Sequence, residues 1–225
     1  MKRAFVIGAV VTVAALAVSS VIYGPEMVAG YRFMDALDQH YANYEANGGA
    51  WPQIQDSCAL CHGANGQPRD AQYASLAGLP APYIEAQLHA FAEGRRHSPQ
   101  MSPLAAHLTT DQIKSLAGYF ARQQPERTES PSRDEALEQR GQATIATRGC
   151  AACHGEGLSG SPLAPRIAGQ GERYLIDQLT AFKQGQRKDP SQVMNAMTST
   201  LSEEEIRATA HFLANQTPTS PPGAK

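Results

Sequence analysis

The stretch CALCHGANG at 58–66 recurs as CAACHGEGL at 150–158. This duplication constrains the chain more than any other feature. The sequence has four cysteines, Cys58, Cys61, Cys150 and Cys153, and one pattern, Cys-x-x-Cys-His, uses them all. On a helical turn, residues i, i+3 and i+4 share a face. Cys58, Cys61 and His62 can therefore address one planar ligand, two sulfurs bonding its rim and one imidazole its centre. Cys150, Cys153 and His154 repeat the set. Covalent haem attachment needs these groups: two thioethers to the vinyls and an axial nitrogen to iron. Zinc is the first rival, but the two cysteine pairs lie far beyond zinc-ribbon spacing and each has its own His. A thioredoxin-like redox pair is the second, and no βαβ pattern surrounds either motif. The pattern predicts two covalently bound haem c groups.

The repeat extends beyond the motif. Gly49 precedes Cys58 by the interval that separates Gly141 from Cys150, and Ala77-Gly78 is echoed by Ala168-Gly169. PYIEAQLHAFAEGRR (82–96) aligns with RYLIDQLTAFKQGQR (173–187). Ile84, Leu88 and Phe91, like Leu175, Leu179 and Phe182, fall at i, i+4 and i+7, which predicts two amphipathic helices. LTTDQI (108–113) matches LSEEEI (201–206). In them Thr109 with Gln112, and Ser202 with Glu205, are capping boxes that open the closing helix of each repeat. The expected fold class is all-α: two small helical domains in tandem, 48–124 and 134–216. Each is small for an unaided core, so the group each binds should help hold it together.

What flanks them is of different composition. Met1-Lys2-Arg3 followed by the uncharged run 4–23 reads as a signal anchor, an N-terminal transmembrane helix over 1–24. Lys2 and Arg3 would stay cytoplasmic and the rest would lie outside the bacterial inner membrane, in the periplasm. The second choice is a signal cleaved near 17–19 and a soluble periplasmic product. Residues 25–47 look like a helical stalk. Segment 125–133, polar and proline-bounded, reads as a linker, and 217–225, with three prolines, as a disordered tail. A formal net charge of −2 gives no sign of a nucleic-acid binder.

Haem iron takes a sixth ligand or leaves an open site. In the first repeat the candidates are His89, His97, His107 and Met101. The histidines align with Thr180, Lys188 and Thr200, whereas Met101 precedes Leu108 as Met194 precedes Leu201. Met101 and Met194 are therefore the expected axial ligands, with Met197 the rival in the second repeat. His–Met ligation raises the potential and closes iron to outside ligands, which suits electron transfer. Arg96 and Arg187 align, as do Tyr83 and Tyr174. All four are candidate contacts to haem propionates, since guanidinium pairs well with carboxylate.

These features together resemble class I cytochrome c, doubled. The chain is similar to the dihaem class I cytochromes c, the cytochrome c-four group, over about residues 48–216. In that family a first-helix glycine packs on a last-helix aromatic, which implies Gly49 with Tyr119 and Gly141 with Phe212. The proline ahead of Leu-Ala-Gly in the family appears as Pro165, but the first repeat has Ala74 there. Trp51-Pro52 is a second departure, because proline disfavours an uninterrupted helix into Cys58.

Two function classes follow. The favoured one is a membrane-tethered electron carrier, not an enzyme, that passes single electrons from a quinol-oxidising complex to a haem–copper terminal oxidase. The alternative is the cytochrome subunit of a periplasmic dehydrogenase, or a dihaem peroxidase or thiosulfate dehydrogenase. Peroxidases of this kind need one iron to open, against which the repeated Met argues. Thiosulfate catalysis favours an unusual ligand such as Cys, and no spare Cys exists.

Overall fold

The computed structural model describes residues 19–21, 23–36, 38–39, 53–128, 133–161 and 164–219. Backbone contacts divide the chain into two compact units, Met1–Trp51 and Pro52–Lys225. In the first unit, residues 23–36 form a helix, α1, and 19–21 and 38–39 are helical as well. Among the described residues no helix is long and apolar enough to cross a membrane. The transmembrane helix expected over 1–24 is therefore corrected. The described helix α1 carries Glu26, Arg32 and Asp35, whose charges do not enter a bilayer core. Residues 1–18 of the expected anchor, and 40–47 of the expected stalk, lie outside the described residues.

The second unit is helical, and its two halves repeat one plan. In the first half a 3₁₀ turn, Ile54–Cys58, leads into α2 (Ala59–His62), then α3 (Ala81–Ala92), α4 (Met101–Ala106) and α5 (Thr110–Ala121). In the second half α6 (Glu135–Arg148) leads into α7 (Ala151–His154) and a 3₁₀ turn, Glu156–Leu158. There follow α8 (Glu172–Lys183), α9 (Val193–Ser199) and α10 (Glu203–Asn215).

Local chemistry sets these elements. Thr109 Oγ1 accepts from Gln112 N while the Gln112 side chain accepts from Thr109 N. Ser202 and Glu205 close the same reciprocal cap on α10. Such caps satisfy orphan amides of the first turn. The amphipathic stretches fold as α3 and α8, burying Ile84 with Phe91 and Leu175 with Phe182. Both stop short of the arginines that close the repeat, because the chain turns through left-handed Gly94 and Gly185.

Each half has its own apolar core. Leu79, Ile84, Leu116, Ala117 and Phe120 form one, and Ile145, Leu158, Ala168, Leu175, Ala210 and Leu213 the other. In the second core α6 crosses α10 at Gly141. A Cβ there would lie 2.1 Å from Ala208 O and 2.6 Å from Phe212 Cβ, so only glycine permits the approach. The Gly141–Phe212 contact implied by the resemblance is thus present. Gly49, its counterpart, lies outside the described residues, as do Trp51 and Pro52. Tyr119 donates its hydroxyl hydrogen to Ala64 O at 3.1 Å.

The halves pack directly on one another. Tyr174 N donates to Ala71 O at 2.9 Å, and Thr128 N donates to Gly169 O at 3.2 Å. The segment expected as a linker therefore begins as packed chain, with Thr128 3% exposed, while 129–132 lie outside the described residues. Pro218, in the expected tail, packs on Gly169; residues 220–225 lie outside the described residues.

Candidate functional site: two imidazole-centred clefts

The motif turns are held the same way in both halves. α2 ends at His62 and α7 at His154, and each is closed by a left-handed glycine, Gly63 (φ +73°) and Gly155 (φ +78°). A Cβ at Gly63 would sit 2.0 Å from Gln67 O, and one at Gly155 2.5 Å from Gly160 O. The glycine after each His is therefore fixed by the turn that returns the chain beneath the imidazole.

That return delivers a hydrogen-bond acceptor. His62 Nδ1 lies 2.8 Å from Ala74 O, and His154 Nδ1 lies 2.8 Å from Pro165 O. A carbonyl only accepts, so each Nδ1 carries the proton and each Nε2 keeps a free lone pair. Burial pushes both imidazoles below their ordinary pKa, more than the carbonyl contact raises them. A neutral, oriented imidazole with a free Nε2 is a metal ligand in waiting. Ala74 supplies this acceptor as well as Pro165 does, because the group used is backbone.

In the first half His62 opens on a cleft with mostly apolar walls and a few convergent polar groups, the lining expected of a cofactor site. Cys58, His62 and Met101 line it, with Leu76, Leu79, Ile84, Leu88, Phe91, Leu116 and Phe120 giving apolar walls. None of the four cysteines is in a disulfide. Burial raises the thiols of Cys58 and Cys150. A haem fits this donor set: sulfur at the rim, one nitrogen, one thioether and apolar faces. Of the rival histidines, His97 and His107 are exposed. In the second half Met194 is half-buried near the start of α9, whereas Met197 is 37% exposed.

The first cleft also reaches Gln87, Arg96, Tyr83 and, from the other half, Tyr174. Arg96 and Arg187 meet as an isolated antiparallel bridge. Arg96 donates to Gln87 Oε1 at 2.8 Å and, across the halves, to Gln178 Oε1 at 2.7 Å and Tyr174 Oη at 3.2 Å. Arg187 mirrors it, donating to Gln178 Oε1 at 2.8 Å, Tyr83 Oη at 3.0 Å and Gln87 Oε1 at 3.0 Å. Each guanidinium also lies over a ring, Phe91 at 4.5 Å and Phe182 at 4.4 Å.

Among the described residues neither arginine has a carboxylate partner, so the cluster holds two positive charges among neutral groups. Burial raises the Tyr174 phenol, yet the two guanidiniums outweigh it and hold the group below its ordinary value. The site wants an anion, and haem carboxylates fit it. Sequence reasoning named Arg96, Arg187, Tyr83 and Tyr174 as candidate propionate contacts but did not place them together across the halves. It passed over Gln87 and Gln178, although both stand at matching places in the repeat.

Comparison with known proteins agrees with this geometry. The cytochrome c family profile matches residues 138–217. The chain is 36% identical to a thiosulfate dehydrogenase electron acceptor of Stutzerimonas stutzeri, over 75% of this chain and 82% of the relative. It is 34% identical to cytochrome c4 of Thiocapsa roseopersicina, over 69% of this chain and 85% of the relative. The crystal structure of reduced recombinant cytochrome c4 from Pseudomonas stutzeri superposes with a TM-score of 0.65 at 25% identity, covering 77% of this chain and 98% of that one. The chain therefore belongs to the cytochrome c4 family, dihaem class I cytochromes c that carry electrons on two covalently bound haem c groups and are not themselves enzymes.

Proposed function

We propose that this protein accepts single electrons from a periplasmic oxidoreductase of the thiosulfate dehydrogenase kind and hands them to a later carrier or oxidase. This takes up the dehydrogenase alternative read from the sequence, in preference to a quinol-oxidising complex as donor. The 36% identity to a thiosulfate dehydrogenase electron acceptor supports the choice of donor. The periplasm is where cytochrome c domains of this type typically work.

The observation that carries the electron-transfer role is the matched pair of imidazoles, each neutral and held by a carbonyl at 2.8 Å. In this reading Cys58 and Cys61 hold the first haem by thioethers and Cys150 and Cys153 the second. His62 with Met101, and His154 with Met194, would be the residues that hold the two irons. Bound haem supplies a one-electron ferric/ferrous couple. The chain's own residues do the rest. His62 and His154 keep fixed ring orientations, so little reorganises when the charge on the site changes. The thioethers of Met101 and Met194 would raise the potential and exclude outside ligands. The apolar walls of the cleft exclude water, and Arg96 and Arg187 neutralise carboxylates at the junction of the halves.

The test is rapid mixing of the oxidised holoprotein with thiosulfate, with and without a thiosulfate dehydrogenase. The reading expects reduction of both haems only when the enzyme is present. Reduction by a quinol-oxidising complex, with none by the thiosulfate enzyme, would restore the other donor.

A further inference from the structure

Ser75 follows the carbonyl that orients His62, and its polar groups are engaged from the second half. Its N–H donates to Gln170 Oε1 at 2.9 Å, and its carbonyl accepts from Gln170 Nε2 at 2.8 Å. Its hydroxyl accepts from Arg166 Nη2 at 3.2 Å while donating to Gln67 at 3.2 Å. Arg166 Nη2 also reaches Ala77 O at 3.0 Å, and Nη1 donates to Ala168 O. Ser75, Arg166 and Gln170 are 0%, 1% and 3% exposed. Burial lowers Arg166 to about 10, so it remains a cation at neutral pH.

This arrangement breaks the repeat. Arg166 stands where the first half has Ser75, Gln170 where it has Leu79, and Pro165 where it has Ala74. The second half therefore orients its imidazole with a loop stiffened by its own proline. The first half has no such residue, yet reaches the same 2.8 Å hydrogen bond. Here Gln170 holds the N–H of the Ala74–Ser75 peptide, while Arg166 holds the Ser75 side chain and Ala77 O on the same loop. Buried hydrogen bonds of this kind are costly to remove, because each leaves a group unsatisfied.

We infer that Arg166 and Gln170 are positioning residues for the first haem: a clamp from the second half that fixes the Ala74–Ser75 peptide and, through Ala74 O, the ring of His62. The inference rests on His62 as an axial ligand. The carbonyl contact to Nδ1 raises the basicity of the ring and sets its orientation. The potential of the first haem then depends on residues that belong to the other half. Both hydrogen bonds of the Gln170 side-chain amide go to Ser75, and none to Pro165 or His154.

The experiment uses the full-length holoprotein with Gln170→Leu, which installs the residue type found at Leu79. Each haem is followed by its hyperfine-shifted proton resonances in the ferric state and by a potentiometric titration. Met101→Ala assigns the resonances of the first haem. The clamp predicts that the first haem's resonances move and that its ferrous-to-ferric ratio at fixed ambient potential rises. The rise should be up to about tenfold, or 59 mV for one electron. The second haem, in whose half the substitution lies, should stay in place. Ser75→Ala, which removes the hydroxyl contacts to Arg166 and Gln67 but leaves the backbone bonds to Gln170, should move the first haem in the same direction by less.

Movement of the second haem alone, or of neither haem in a protein that retains two haems, would overturn the clamp. Should Gln170→Leu lose its haems, Ser75→Ala decides by the same criterion. If His62→Ala leaves the wild-type haem spectrum unchanged, the ligand reading itself has failed, an outcome separate from failure of the clamp.

Discussion

The two halves of the Pro52–Lys225 unit reach the same imidazole geometry by different routes. The second half carries its own supports: the long helix α6 sealed onto α10 at Gly141, and Pro165 in the loop under His154. Among the described residues the first half enters its motif through a 3₁₀ turn, and it takes hydrogen bonds for its loop from Gln170 and Arg166. Duplication preserved the site but left the structural burden uneven. The halves bond to one another in both directions, but the loop under His62 takes side-chain hydrogen bonds from the second half, whereas the loop under His154 carries its own proline.

The largest expected effect comes from deleting either attachment pair. Replacing Cys150 and Cys153 with Ala should leave one haem by mass and by haem-stained gel. It should also lower the melting temperature of the first half, whose clamp unfolds with the second core. Replacing Cys58 and Cys61 should likewise leave one haem but spare the second half. Equal losses in the two variants would break the comparison.

Next come the thioethers. Met101→Ala and Met194→Ala should each abolish the sulfur-to-iron absorption band of one haem and lower its potential. Met197→Ala should do neither, consistent with its 37% exposure. Reversed results for Met194 and Met197 would show that the ligand lies one helical turn further along α9.

Gly141→Ala should cost the second half about 1–3 kcal/mol by overpacking α6 on α10. It should be read as a lower melting temperature with both haems retained. The smallest effect belongs to the caps. Ser202→Ala and Thr109→Ala should each cost about 1 kcal/mol, and because both boxes are formed, the two losses should be similar.

What was legible in the sequence was local or repeated. The capping boxes at Thr109 and Ser202 were readable because three residues of spacing fix their geometry. The α3 and α8 faces were readable from Ile84, Leu88 and Phe91 and their counterparts. The register from Leu201 prefers Met194 to Met197, and the Met variants test that choice. The crossing of partners was not legible. Arg96 reaches Tyr174 and Gln178, and Arg187 reaches Tyr83 and Gln87, through packing that no periodicity encodes. Arg166 and Gln170 were missed for the same reason, although the failure of the repeat at Ser75 and Leu79 was a signal. The anchor is corrected because no described helix is long and apolar enough to cross a membrane, and α1 carries Glu26 and Arg32.

The measurement that bears most directly on the account combines the mass of the purified protein with the ferric near-infrared and electron paramagnetic resonance spectra of its haems. The account predicts two covalently attached haems per chain, both low-spin with His–Met ligation, and a sulfur-to-iron band that halves in either Met variant. One haem, or a second iron that is bis-His or open, would contradict it.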